Sequence, residues 1–100
     1  MLIVAGTIEV DPEHREALLA AVAPMVVATR GEPGCQAYAF SPDPEEPGLV
    51  RLFELWDDQA ALDAHFASDH MADWQEAAAD LPIRNRDIAK YLVSGVADLP

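Results

Sequence analysis

A chain of 100 residues, 51% of them apolar, has room for one domain and one core. A domain of that size buries only about 60–65% of the surface its unfolded chain exposes, so it gains from a partner. Eighteen acidic against six basic residues give a net charge of −12, which argues against nucleic acid and anionic membrane as partners and suits a sticky domain kept soluble.

Met1–Val10 reads as a strand apolar on both faces, with Leu2, Val4, Ile8 and Val10 on one side and Ile3, Ala5 and Thr7 on the other. It lacks the basic start and long apolar centre of a signal peptide. With no run long enough to span a membrane, a cytoplasmic location is the expectation. Asp11-Pro12-Glu13 predicts a helix start with Asp11 as N-cap. Leu18, Ala21, Val22, Met25, Val26 and Thr29 follow at helical spacing. Pro24 predicts a kink inside this helix rather than its end, and Arg30-Gly31 closes it before a turn at Glu32-Pro33-Gly34.

Cys35–Ser41 predicts a second strand, with small Cys35, Ala37 and Ala39 facing away from Gln36, Tyr38 and Phe40. The segment 41–48 carries three prolines and predicts a solvated hairpin loop. Leu49–Trp56 predicts a third strand, with Val50, Leu52 and Trp56 opposite Leu49, Phe53 and Leu55. Asp57-Asp58 caps a short helix bearing Leu62, His65 and Phe66 on one side. Ser68 restarts a helix carrying Met71, Trp74, Ala78 and Leu81, which Pro82 ends. The last strand is expected from about Arg86 to Val96, so the domain is drawn as 1–96 with a tail over 97–100.

This βαββαβ order is that of a ferredoxin-like α+β fold. Right-handed crossovers place both helical layers on one sheet face. The other face is apolar as well, and a homodimer joined sheet to sheet would cover it.

Several residues are candidates for chemistry. His65 lies on an apolar helix face and reads either as a general base or as a core histidine satisfied by a carboxylate or carbonyl. Glu54 shares a strand face with Val50, Leu52 and Trp56, so it needs a partner or a raised pKa. It either orients His65, pairs with an Arg, or reaches solvent. His65 and His70 stand five apart with no third His or Cys nearby, so no metal is expected. Cys35, the only cysteine, has no obvious cationic neighbour and reads as packing. Trp56, Trp74, Tyr38, Tyr91 and Phe66 read as core or as the walls of a flat pocket. No phosphate loop, Rossmann fingerprint or nucleophile elbow is present.

Taken together, Leu2-Ile-Val-Ala-Gly, Arg30-Gly-Glu-Pro-Gly-Cys35, Phe53-Glu-Leu-Trp56 and Ala61-Leu-Asp-Ala-His65-Phe-Ala-Ser-Asp-His70 resemble the antibiotic biosynthesis monooxygenase (ABM) family over Met1 to Val96. The resemblance implies a dimeric α+β barrel with a pocket between helices and sheet in each subunit. It also implies an oxygenase working without a cofactor on a small quinol- or anthrone-like aromatic and molecular oxygen. In that setting His65, oriented by Glu54, is the expected base. Trp56, Phe66 and Trp74 wall the cleft, Arg51 or Arg86 holds the anionic oxygen, and His70 joins the substrate contacts. Haem-degrading relatives are expected to use an Asn, a Trp and a His where this chain has Gly6 or Thr7, His65 and about Gln75, so haem is disfavoured. A non-catalytic dimeric module binding an aromatic metabolite, or an isomerase-like enzyme acting on a small carbonyl compound, are the alternatives.

Overall fold

The computed structural model describes residues 1–100. Four strands form one antiparallel sheet in the order β2-β3-β1-β4: β1 is Leu2–Val10, β2 Cys35–Pro42, β3 Leu49–Trp56 and β4 Ile83–Leu92. Helix α1 (Arg15–Arg30) joins β1 to β2, and α2 (Gln59–Phe66) with α3 (Asp69–Ala79) joins β3 to β4. This is the expected βαββαβ ferredoxin-like α+β fold.

The core lies between sheet and helices. Leu2, Val4, Ile8 and Val10 of β1 and Val50, Leu52 and Trp56 of β3 meet Leu18, Val22 and Met25 of α1, with Leu62, Trp74 and Ala78 from the later helices. Burying such side chains contributes roughly 1.5–3 kcal/mol each. Helix α1 runs through Pro24, which sits on its exposed side.

The helix breaks follow the local chemistry. Asp58 accepts from the Ala61 amide (2.8 Å) to cap α2, and Ser68 accepts from the Met71 amide (3.2 Å) to cap α3. Asp11 departs from expectation. A short 3₁₀ turn at Pro12–His14 precedes α1, no side chain caps it, and the Asp11 carboxylate pairs with Arg84 instead.

Three other sequence readings change. A bulge at Gln36 pairs Cys35 with Trp56 and Ala37 with Leu55, so Cys35 joins Tyr38 and Phe40 on the helix side while Gln36 is exposed. Pro42 belongs to β2 and aligns with Val50, tolerated because β2 is an edge strand that needs no donor there. The last strand is shifted from 86–96 to Ile83–Leu92. Its partner decides this: Leu92 aligns with Leu2, and the Val93 amide donates to Met1 (3.1 Å), the last of the bonds between the two strands. No helix is long and apolar enough to cross a membrane.

Candidate active site

A cavity of about 550 Å³ opens between the helix side of the sheet and α3, a size suited to a small organic molecule. Phe40, Leu52, Phe66, Met71 and Trp74 give it apolar walls, and Tyr38, Glu54 and His65 bring polar atoms to it, with Gln75 and Arg86 exposed at its margin. The register explains this convergence. Tyr38 of β2 aligns with Glu54 of β3, which aligns with Val4 of β1, so both polar side chains project from neighbouring strands on the same face.

His65 is 1% exposed and reaches the cavity from the last turn of α2. Its Nδ1 lies 3.0 Å from Glu32 Oε1, and its Nε2 lies 3.4 Å from the Tyr38 hydroxyl. With Glu32 ionised, Nδ1 carries the proton and donates to the carboxylate, leaving the Nε2 lone pair facing Tyr38 and the cavity. His70, in the first turn of α3, directs Nε2 to the same Glu32 oxygen. Glu32 reaches both rings because Gly34 turns the chain at φ +83°. A Cβ there would stand 2.6 Å from that of Ala61 on α2, so only glycine lets the turn and α2 come this close.

Glu54 is 7% exposed and accepts a 3.0 Å bond from Trp56 Nε1. Burial pushes its carboxyl up to about 7, with the Trp56 bond opposing the shift and the nearby Glu32 charge adding to it. The Tyr38 hydroxyl is driven well above its ordinary range, by burial first and then by Glu54 and Glu32, and stays protonated. Burial together with the same two carboxylates raises the Cys35 thiol, so it is no thiolate nucleophile.

The family model for antibiotic biosynthesis monooxygenases matches residues 1–77. The chain belongs to the ABM family. It is 33% identical over 93 residues to the Synechocystis protein sll1783, covering 93% of this chain and spanning 63% of that relative's length. It is 34% identical over 73 residues to Rv0793 of Mycobacterium tuberculosis, provisionally named a monooxygenase, covering 73% of this chain and 71% of that one. The solved structure of Rv0793 superposes with a TM-score of 0.85 at 27% identity over 97% of this chain and 98% of that one. A provisionally named antibiotic biosynthesis monooxygenase from Deinococcus radiodurans superposes with a TM-score of 0.90 at 28% identity, covering 100% of this chain and 99% of that chain.

Against the residues expected of an ABM site, the structure brings His65, Glu54, Phe66, Trp74 and Arg86 to one cavity. It does not join Glu54 to His65, because Glu54 is taken by Trp56 while Glu32 holds the imidazole. Trp56 is wholly buried behind the cavity rather than in its wall. Arg51 lies on the opposite sheet face, exposed and donating to Asp43 (2.9 Å). His70 stands outside the cavity, on Glu32. Phe66 is 53% exposed and sits at the cavity's edge rather than within the core. Glu32 escaped sequence reasoning because Glu-Pro-Gly reads as a solvated turn. The one signal was a carboxylate set in a Pro33-Gly34 turn at a strand entrance.

Proposed function

We propose that this ABM chain is a cofactor-independent monooxygenase of a small quinol- or anthrone-like aromatic. The observation that supports this best is an aromatic-walled cavity into which a buried His65 presents Nε2 while Glu32 holds Nδ1. A carboxylate behind the ring stabilises the imidazolium formed when Nε2 takes a substrate proton. The 3.4 Å contact to Tyr38 is long enough for a substrate hydroxyl to displace. The resulting anion is electron-rich and reduces molecular oxygen. One oxygen atom forms the new bond to carbon, and the other leaves as water with the two hydrogens that the substrate gives up. Glu54, with its pKa near neutrality, relays one of those substrate protons to the departing oxygen and ends the cycle as it began. Arg86 at the margin balances the charge of the anion.

In this reading the chain works as a homodimer. Ile3, Ala5, Phe53, Leu55 and Tyr91 share the sheet face that carries no helix, with Phe53 42% and Tyr91 55% exposed. A second copy packed on that face removes this apolar surface from water.

Oxygen uptake with a panel of hydroquinones and anthrones tests the activity. Turnover lost in His65→Ala supports the proposal. Saturable binding of the panel without any oxygen uptake would sink it in favour of a binding module, and turnover under anaerobic conditions would replace it with an isomerase.

A further inference from the structure

Two histidines and a carboxylate converge outside the cavity in a way that the proposed base does not require. His65 Nδ1, His70 Nε2 and one oxygen of Glu32 all lie within 4.8 Å of one another. They come from three separate pieces of chain: the turn after α1, the end of α2 and the start of α3. A base needs one carboxylate behind one imidazole. Here a second imidazole is directed onto the same oxygen, and the ion pairs of Glu32 are with these two rings alone.

We propose that Glu32, His65 and His70 form a binding site for one divalent first-row transition-metal ion. Nitrogen and oxygen donors about 2.0–2.2 Å from such an ion stand roughly 3–3.5 Å apart. The 3.0 Å between His65 Nδ1 and Glu32 Oε1 already meets that spacing. His70 is a quarter exposed, so its ring can adjust to an ion and solvent can reach that side of the cluster. Two His and one carboxylate with open positions suit this class of ion. The far side of the His65 ring has a partner too, since a metal on Nδ1 leaves the proton on Nε2, where it donates to the Tyr38 hydroxyl. The other His-containing cluster, Asp11, Glu13 and His14, lacks any fully buried member and serves as the comparison.

The inference goes beyond the monooxygenase reading and constrains it. With Nδ1 on a metal, Nε2 carries its proton and cannot accept one from substrate. Occupancy therefore switches the base off, and the ion is an inhibitor rather than a cofactor.

The test is independent of turnover: calorimetric titration of the chelator-treated full chain with ZnCl₂. One saturable site per chain is expected. His70→Ala and Glu32→Gln should each weaken it more than tenfold, His14→Ala should leave it unchanged, and His70→Cys should restore it. His70→Ala changes a partly exposed side chain, so its fold is retained if Glu32→Gln proves unstable. Absence of a saturable site, or equal affinity in wild type and His70→Ala, overturns the proposal.

Discussion

The two faces of the sheet are built by the same alternation yet end in opposite states. On the helix side, Leu2, Val4, Ile8 and Val10 of β1 and Val50, Leu52, Glu54 and Trp56 of β3 are buried, and the polar groups on that side of the sheet have partners: Glu54 takes the Trp56 indole and Tyr38 of β2 meets His65. On the other side, Ile3, Ala5, Phe53, Leu55 and Ala89 make an apolar centre with no element packed on it. Apolar packing needs no carboxylate and no imidazole. Their presence on the covered face, where keeping them costs desolvation free energy, is what the proposed function rests on. The open face has no buried polar pair of this kind, and its charged members, such as Arg51, are exposed.

Variants on each face can break or sharpen this contrast. The largest effect is expected from His65→Ala, which should lower kcat/KM by about 10²–10⁴-fold in an oxygen-uptake assay while leaving the assembly's mass unchanged. An equal loss from an open-face variant that keeps the dimer would erase the distinction between the faces.

Glu54→Gln comes next and reads stability. The folded state favours the neutral carboxyl, raised from 4.5 to about 7, so it binds a proton that the unfolded chain has already lost between those pH values. The stabilisation is therefore complete below about pH 4.5 and disappears as pH rises through 7. At roughly 1.4 kcal/mol per pH unit, it amounts to on the order of 3 kcal/mol. Glutamine still accepts from Trp56 and removes the titration. Urea unfolding at pH 5 and pH 8 should show the wild type losing stability across that interval and the variant losing much less.

Phe53→Glu places a charge at the centre of the open face. Sedimentation should show association weakened at least tenfold, with the subunit still folded and the cavity intact. A wild type that sediments as a monomer would remove the assigned use of this face. The smallest effect belongs to Arg51→Ala. Its guanidinium is exposed and serves the hairpin through Asp43, so turnover should not change and the melting temperature should barely move. A large loss of turnover would return Arg51 to the site.

Much of this architecture was legible from the residues. Strand β3 falls where Leu49–Trp56 predicted it, and Asp58 and Ser68 cap the two helices they were expected to cap. The site was only half legible. His65, Glu54, Trp74, Phe66 and Arg86 do meet one cavity, but the partner of Glu54 is Trp56, two residues away, while the carboxylate that holds His65 lies 33 positions earlier in the chain.

The sequence alone determined what each segment does locally: period-2 apolar runs make strands, capping side chains set helix starts, and family motifs name the fold. These signals act within a few residues, where backbone geometry and hydrogen-bond chemistry are decided. Only the tertiary structure decided partners. It placed Arg51 behind the sheet by strand parity, turned Cys35 inward through one bulged residue, set the bounds of β4 by its pairing with β1, and brought Glu32 to two histidines because Gly34 let α2 approach. Such contacts depend on register and packing across distant segments, and no local pattern encodes them.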